Sequence, residues 1–404
     1  MSKRHVYGRK DPAVTAPPRT TPASDNHTPA DVDARLRDLL TSLVSRGGLH
    51  HVVVAIADDD GTHRWSAAAG SASAGSADPG DSLGADLPPA RPDAPFFIAS
   101  ITKRFVVTLV IQAHERGELD LDAPITDYLP AATTDGLHVL GGVDRTPWIT
   151  VRHLASHTSG LPDHFERRRG DRSLTEHLHA GRDTGWTFDD VIATTRDRQR
   201  PHFAPQDLAT PRQKARYSDT GFQLLIRILE TVTARPFAEL LAERITEPLG
   251  LADTWLPGRR RARPAVAAPL PLASGREPVE LPSLVASSND LVSTTGDLIV
   301  FQRALLRGAL FRDPGSVGLL DERRNRLRNI PVLRYGLGTM SWTIGRLMSA
   351  GRRPVTLLGH SGATGTWLFH SPELRVHLAG SVDQVRGQAI PFRLMARLLA
   401  GWRA

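Results

Sequence analysis

Apolar residues recur at helical spacing near both ends of the chain. One amphipathic helix is predicted from about residue 31 to the glycine pair at 47–48, and another over 390–402. A third helix, over 105–113, is apolar on nearly every side. Because a helix of that kind is typically buried, we expect it at the centre of the fold.

Strand-like segments also lie towards the two ends of the chain. Residues 51–57 and 62–69, separated by a short polar turn, predict a β-hairpin. Four further strands are predicted late in the chain, at 335–343, 355–359, 366–369 and 375–379. Two groups of strands so far apart in sequence predict one antiparallel sheet assembled from both chain ends.

The region between the two groups, roughly residues 120–310, carries mostly helical patterns and long polar loops. We therefore expect an α+β fold in which N- and C-terminal helices flank the antiparallel sheet and a mostly helical subdomain is inserted. Residues 1–30 are rich in Pro, Thr and Ala without periodicity, which predicts a disordered arm. Residues 31–404 are expected to form one domain.

The composition excludes several classes of protein. Hydrophobic residues make up 40% and charged residues 23% of the chain, as in ordinary globular proteins. Cysteine is absent, which excludes disulfides, thiolate metal ligands and a cysteine nucleophile. No stretch approaches the ~20 apolar residues that a membrane span needs, and the first 30 residues lack the apolar segment of a secretory signal. A cytoplasmic protein with no membrane span is expected.

The charge of the chain bears on its partners. The formal net charge is +7, but the arginine runs at 167–169 and 259–261 lack the aromatic neighbours and motifs of nucleic-acid-binding proteins, so no nucleic-acid partner is expected. A basic surface would attract an acidic carrier protein, which we keep as an alternative partner. Only four of the 50 basic residues are lysines. Lysine is thus a rare choice here and, unlike arginine, it can lose its proton to act as a base.

Ser100 and Lys103, in the order Ser-Ile-Thr-Lys, are predicted to open the apolar helix. Residues three apart on the first turn of a helix share a face, so the amine can reach the hydroxyl. A serine hydroxyl becomes a good nucleophile when a neighbouring base takes its proton, and a lysine in a half-buried pocket can be that base. The motif alone is weak, because about a quarter of a match is expected by chance. The alternative is an exposed lysine at the start of a helix.

Two further short motifs follow. Tyr217 and Asp219 precede a helix predicted near Gly221, where a phenol beside an ammonium can hold or relay a proton. The alternative there is a tyrosine packed against a helix cap formed by its neighbours. His360 and Gly362 lie at the end of the strand predicted at 355–359. The His-x-Gly pattern carries no weight by itself, because a second match occurs at 179–181.

Taken in order, Ser-x-x-Lys, Tyr-x-Asp and His-x-Gly resemble the three motifs of the penicillin-recognising serine hydrolases. The chain is most similar to the branch that contains class C β-lactamases, D-aminopeptidases, family VIII-type esterases and related acyltransferases. Flanking segments at 119–130, 149–161 and 291–298 are also similar to that branch, and the resemblance covers about residues 32–402. It implies a β-lactamase/transpeptidase-like fold and a serine hydrolase that acts on a small-molecule acyl substrate without a cofactor.

The resemblance implies a role for each motif residue. Ser100 would be the nucleophile that accepts the acyl group, and Lys103 and Tyr217 would move the proton. The backbone N–H groups of Ser100 and Ala363 would form the oxyanion hole. Gly362 would keep the strand edge bare, so that the substrate backbone can lie against it.

Two positions depart from the pattern of the family. Asp219 stands where the family usually has Asn, and a carboxylate there would hold Lys103 by charge and favour its protonated form. His360 replaces a lysine and offers a substrate carboxylate less fixed positive charge. Both changes favour esters or neutral acyl donors over penicillins. Residues 287–290, Ser-Ser-Asn-Asp, scramble the Ser-Asp-Asn element of class A β-lactamases and are expected to be a loop.

The expected function is a serine acyl-enzyme hydrolase acting on small esters or D-amino-acid amides and peptides. The alternative among enzymes is an acyltransferase or a trans-acting thioesterase of secondary metabolism, and the alternative of another class is a catalytically silent binding protein. An α/β-hydrolase centred on residues 359–363 is disfavoured, because only 41 residues follow for its Asp and His. The histidine pairs lack His-Glu-x-x-His spacing, so no metal site is predicted.

Overall fold

The structure is a computed structural model that describes residues 29–47, 49–72, 88–258, 267–345 and 353–402. The predicted arm lies outside these residues except for Pro29 and Ala30, which begin the first helix. The arginine run at 259–261 also lies outside them. Within the described residues, no helix is both long and apolar enough to cross a membrane.

The described helices run along the whole chain, and most of the shorter ones belong to the middle third. They are α1 (Pro29–Gly47), α2 (Thr102–Glu115), α3 (Ala131–Thr134), α4 (Val151–Ala155), α5 (Leu174–His179), α6 (Phe188–Ala193), α7 (Asp219–Thr233), α8 (Phe237–Leu241), α9 (Glu247–Leu249), α10 (Pro282–Ser287), α11 (Thr295–Leu306) and α12 (Ile390–Trp402).

The described strands form one large sheet and three two-stranded ribbons. They are β1 (His51–Asp58), β2 (Arg64–Gly70), β3 (Phe96–Phe97), β4 (Val139–Leu140), β5 (Val143–Asp144), β6 (Leu272–Ser274), β7 (Glu277–Val279), β8 (Val292–Ser293), β9 (Asn325–Arg326), β10 (Arg334–Tyr335), β11 (Met340–Ile344), β12 (Val355–Gly362), β13 (Thr366–Ser371) and β14 (Val376–Ser381).

The large sheet joins the two ends of the chain, as predicted. Its strand order is β2-β1-β14-β13-β12-β11-β10-β9, and every neighbouring pair is antiparallel. The N-terminal hairpin adds to the C-terminal meander through β1 and β14, with Val54 opposite Gly380. Helices and short ribbons fill the sequence between the two groups, so the predicted α+β architecture with an inserted, mostly helical region is confirmed.

An apolar core lies on each face of the sheet. Side chains of a strand alternate between the faces, and β1 supplies Val53 to the core around α2 and Val54 to the core against α1 and α12. This two-sided burial explains why β1 is apolar at consecutive positions rather than at every second one. The buried-helix prediction is also confirmed, because α2 buries every residue from Thr102 to Ala113.

Two local predictions are wrong in detail. The sequence pattern predicts one helix over 236–246 that begins at Pro236. In the structure Pro236 is the residue before α8, and a π-helical turn over Ala242–Thr246 follows α8. Ser100 does not lie in the buried helix itself but in a separate 3₁₀ turn, Ala99–Ile101, that leads into α2. The separate turn arises from the left-handed backbone of Ala99, the residue before Ser100.

Candidate active site

Ser100 is presented by a strained turn. Ala99 has a φ of +48°, a left-handed conformation that costs a non-glycine residue on the order of 1–3 kcal/mol. The segment before it is held in place, because β3 pairs with β8 and the Ile98 N–H donates to the Leu291 carbonyl at 2.9 Å. The chain therefore leaves the ribbon, turns sharply at Ala99, and places Ser100 at the entrance to α2.

The end of β12 packs directly against this turn. The Thr366 hydroxyl donates to the Ile98 carbonyl at 3.0 Å. A side chain at Gly362 would come within 2.2 Å of Thr366 Oγ1 and 2.8 Å of the Ile98 carbonyl oxygen. The missing side chain of Gly362 therefore makes room for the segment that precedes Ser100, and its predicted contact with the substrate backbone stays a prediction. Gly362 and Ala363 both line the cavity described below.

Lys103 lies between Ser100 and Asp219. Its Nζ is 3.1 Å from Ser100 Oγ and is in direct contact with the Asp219 carboxylate, while the side chain is 5% exposed. Burial tends to lower the pKa of Lys103, but the carboxylates of Asp219 and Asp290 raise it above its ordinary value. The resting lysine therefore carries its proton.

Tyr217 faces the same space from the entrance to α7. Lys103 Nζ lies 5.2 Å from the centroid of its ring. Its buried hydroxyl faces Ser100, which opposes the rise in the pKa of Tyr217, but among the described residues it has no partner at ordinary hydrogen-bond geometry. Burial and then the Asp219 charge raise the pKa of Tyr217 well above its ordinary value, so the phenol is neutral.

The alternative in which Tyr217 packs against a side-chain helix cap is wrong. Ser218 occupies the cap position of α7, but its hydroxyl donates to the Pro162 carbonyl at 2.9 Å instead of accepting from the helix. The Asp219 carboxylate contacts the Lys103 ammonium. The ring of Tyr217 instead packs against His157, with 4.5 Å between the ring centroids.

His360 lies near this group but does not line the cavity. It is fully buried, and its ring centroid is 6.2 Å from that of Tyr217. Its Nδ1–H donates to the Ser361 carbonyl at 2.8 Å, so Nε2 is the acceptor for the Tyr335 hydroxyl at 3.0 Å. Burial and then the Lys103 charge lower the pKa of His360 well below its ordinary value. The expected residual positive charge for a substrate carboxylate is therefore absent from this neutral ring.

Sequence reasoning missed three buried residues around the motif residues, which are His157, Tyr335 and Arg104. His157 stacks between Tyr217 and Tyr335, with 4.3 Å between its centroid and that of Tyr335. Arg104, 1% exposed, donates to the Thr339 hydroxyl at 2.8 Å, and burial lowers its pKa to about 10. The only available signal was proximity in sequence, since Arg104 follows Lys103 and His157 lies in one of the family-like flanks.

A cavity of about 470 Å³ opens beside Ser100. Its ionisable lining residues within the described chain, apart from tyrosine and histidine, are Lys103, Asp163, Glu166, Asp219 and Asp290. Asp290 was part of the segment expected to be a loop; Asn289 before it takes a left-handed φ of +59°, and β8 begins two residues later. Apolar side chains, among them Phe165 and Phe222, form much of the remaining wall.

One cluster of described residues has the spacing of metal ligands, far along the sheet from Ser100. Asp59 Oδ1 lies 2.8 Å from His370 Nε2 and 3.3 Å from His377 Nε2. The other carboxylate oxygen of Asp59 is 3.4 Å from Arg375 Nε, and the Arg303 guanidinium donates to its backbone carbonyl. The carboxylate is thus already paired, and the surrounding arginines disfavour a further cation.

Comparison with known proteins agrees with this geometry. A family model described as Beta-lactamase matches residues 36–394. The chain is 26% identical over 278 residues to D-alanyl-D-alanine-carboxypeptidase/endopeptidase AmpH of Escherichia coli strain K12, which covers 68% of this chain and 61% of that protein. It is 32% identical over 168 residues to esterase EstB of Burkholderia gladioli, covering 41% of this chain and 39% of that protein. The aligned part therefore spans less than two thirds of either relative.

A solved structure covers more of the chain. The D-stereospecific amidohydrolase from Streptomyces sp. superposes with a TM-score of 0.66 and 25% sequence identity. The match covers 91% of this chain and 99% of that one. The sheet, the flanking helices and the inserted region are therefore shared over nearly the full length of that protein.

The hydrogen bond between Tyr335 and His360 gives a prediction about stability. Tyr335→Phe should lower the free energy of unfolding by about 1–3 kcal/mol, because it leaves the buried His360 Nε2 without a donor. Tyr128→Phe is the matched control: its hydroxyl accepts from the Asp120 N–H at 2.8 Å at the surface, where water can replace it. Urea unfolding measures the free energy of unfolding of both variants and the wild type. Equal losses in the two variants would contradict the assigned hydrogen bond from Tyr335 to His360.

Proposed function

The chain belongs to the β-lactamase family, and we propose that it is a serine hydrolase that forms an acyl-enzyme on Ser100. The observation that carries this proposal is the 3.1 Å contact between Ser100 Oγ and Lys103 Nζ on the wall of a cavity. We propose small esters or D-amino-acid amides and peptides as its substrates, in keeping with the names of the esterase and amidohydrolase relatives.

The route of the proton follows from the charges in the resting site. A protonated Lys103 cannot accept the proton of Ser100, so it must first release a proton to solvent, and the contact with the Asp219 carboxylate opposes that release. The neutral amine then accepts the Ser100 proton as Oγ bonds to the acyl carbon. Tyr217 keeps its own proton at rest, so it is suited to protonate the leaving group when the carbon–heteroatom bond breaks. Lys103, which holds the proton from Ser100, then donates it to the Tyr217 phenolate.

The negative charge that develops on the acyl oxygen needs hydrogen-bond donors. We assign this role to the backbone N–H groups of Ser100 and Ala363, which both line the cavity. Ser100 is in the first turn of a helix, where backbone N–H groups have no partner within the helix. The packing of Gly362 against Ala99 supports the proposal, because it brings the end of β12 next to that turn.

The nucleophile and the base can be tested by substitution. Ser100→Ala should abolish covalent labelling by a fluorophosphonate probe, whereas Ser361→Ala, at another serine of the cavity, should still be labelled. Lys103→Arg should lower turnover of a p-nitrophenyl ester nearly as far as Ser100→Ala, because a guanidinium does not give up its proton. Lys214→Arg, at an exposed lysine, is the control. Full activity of Lys103→Arg would contradict the base assignment, and an unlabelled wild-type protein would favour a silent binding protein.

Asp219→Asn tests the control of Lys103 by its neighbour. A carboxylate raises the pKa of Lys103, so its removal should lower that pKa and move the rising limb of kcat/KM to lower pH. Turnover near neutral pH should then increase. The new amide can also donate to a substrate carbonyl, so amide and β-lactam turnover should rise relative to ester turnover. The pH profiles of both proteins measure the shift, and a limb that stays or moves to higher pH would contradict the proposal.

Acyl transfer is the alternative that uses the same acyl-enzyme, with an alcohol, amine or carrier-bound thiol replacing water. The apolar wall around Phe165 and Phe222 supports it, because such a wall holds an acyl chain and limits water. Under this alternative, product analysis with an added alcohol should show the transesterified product. Hydrolysis products alone would exclude acyl transfer. An acidic carrier protein as acyl source and a cytoplasmic location remain predictions.

A further inference from the structure

The segment that carries Tyr217 is not part of a helix or of a strand of the large sheet. It follows an irregular stretch over 199–214 and ends where α7 begins at Asp219. Connecting segments of this kind are usually more mobile than the elements that they join. The Tyr217 hydroxyl does not anchor the segment, because among the described residues it has no partner at ordinary hydrogen-bond geometry. The position of the phenol therefore depends on contacts of its backbone and its ring.

His157 holds this segment at two points. Its backbone carbonyl accepts from the Arg216 N–H at 2.9 Å, and its Nδ1 accepts from the Ser218 N–H at 3.3 Å. These two N–H groups belong to the residues directly before and after Tyr217. The ring of His157 also packs against the ring of Tyr217, with 4.5 Å between the centroids. Because His157 is 2% exposed and outside the lining of the cavity, it contacts Tyr217 without reaching a substrate.

The charge state of His157 suits this contact. Burial, followed by the charge of Lys103, lowers the pKa of His157 well below its ordinary value, so the ring is neutral. A neutral imidazole has one nitrogen that accepts and one that donates. Since Nδ1 accepts from the Ser218 N–H, the proton of the ring lies on Nε2. The ring therefore presents its lone pair to the segment that carries Tyr217.

Asn329 holds Tyr217 itself. Its Oδ1 accepts from the Tyr217 N–H at 3.1 Å, and its Nδ2–H donates to the Tyr217 carbonyl at 3.3 Å. One side chain thus bonds both backbone polar groups of Tyr217, as a residue of a neighbouring strand would. The Arg328 N–H adds a bond to the Ala215 carbonyl at 2.9 Å. Since Asn329 follows β9, the edge strand of the large sheet, these bonds tie the segment to that sheet.

We propose that His157 and Asn329 are positioning residues for Tyr217: together they fix its backbone and thereby the distance between the phenol and the leaving group. The inference rests on the proposed acyl-enzyme at Ser100, in which Tyr217 protonates the leaving group. It goes beyond that function by assigning a role to two residues outside the three motifs. Proton transfer needs hydrogen-bond reach, and a displacement of about 1 Å can lower a rate about 100-fold.

The test compares two esters that form the same acyl-enzyme but differ in their need for a proton. The leaving group of p-nitrophenyl butanoate departs as a stable anion, whereas that of ethyl butanoate must be protonated as it departs. His157→Phe keeps a ring and removes the Nδ1 acceptor, and Asn329→Leu keeps the shape of the side chain and removes both hydrogen bonds. Each should lower kcat/KM for the ethyl ester about 10- to 100-fold more than for the p-nitrophenyl ester. A loss of folded protein would lower both values equally.

Two further variants show whether the hydrogen bonds are responsible. His157→Asn carries an acceptor oxygen on Cγ, where histidine carries Nδ1, and asparagine tolerates the left-handed backbone at this position, where φ is +58°. The ratio of the two kcat/KM values should therefore stay close to that of the wild type. Asn325→Leu is the matched control. The Asn325 Oδ1 accepts from the Gln213 N–H at 2.9 Å, farther from Tyr217 on the same segment, so its loss should leave the ratio unchanged.

Tyr217→Phe separates this inference from the function on which it rests. It should lower turnover of the ethyl ester selectively, and adding His157→Phe should not change the ratio further, because His157 acts through Tyr217. If Tyr217→Phe alters the ratio while His157→Phe and Asn329→Leu do not, the positioning role is overturned and the proposed function stands. A ratio that Tyr217→Phe leaves unchanged would overturn its role as the proton donor. Fluorophosphonate labelling of Ser100 identifies the variants with a folded site, and an unlabelled wild type that hydrolyses neither ester would refute the proposed function itself.

Discussion

The contact between the Lys103 ammonium and the Asp219 carboxylate is the interaction on which the rest of the site depends. A buried ammonium is costly unless it is paired, so Asp219 both allows Lys103 to lie beside Ser100 and holds it in the protonated form. Burial, and then the same negative charge, raise the pKa of Tyr217 and keep its phenol neutral. The resting site therefore holds Lys103 in a form that cannot act as a base, and in the proposed mechanism Lys103 must lose a proton before Ser100 can attack.

This pair is assembled by contacts between segments that are distant in sequence. Ser100 and Lys103 come from the turn before α2, Asp219 from the start of α7, and the packing surface of Gly362 from the end of β12. The left-handed backbone at Ala99 would relax in isolation, because nothing local favours it. The β3–β8 ribbon and the hydrogen bond from Thr366 to the Ile98 carbonyl hold it in place. The sheet built from both chain ends thus helps to hold Ser100, the proposed nucleophile, in place.

The difference between local sequence patterns and contacts that are distant in sequence explains how much could be predicted from the sequence. The buried α2, the hairpin, the strands of the meander and the motif residues were predictable, because they depend on local periodicity or short spacing. Asp290 was not, since its place in the cavity depends on a left-handed Asn289 and on Thr102, far away in sequence. The partner of His360 was missed for a similar reason. Strand alternation gives the face of a side chain but not which group it meets, and here Tyr335 takes the place of a substrate.

The departures from the family pattern act together on the charge of the cavity. An aspartate replaces the usual Asn at 219, and a neutral histidine replaces the usual lysine at 360, so these two positions lower the charge of the site relative to that pattern. Asp290 adds a further carboxyl group on the same wall. Each of these groups disfavours the binding of an anionic substrate. The charge of the cavity wall therefore supports the proposed preference for esters and other neutral acyl donors, which bring no carboxylate to it.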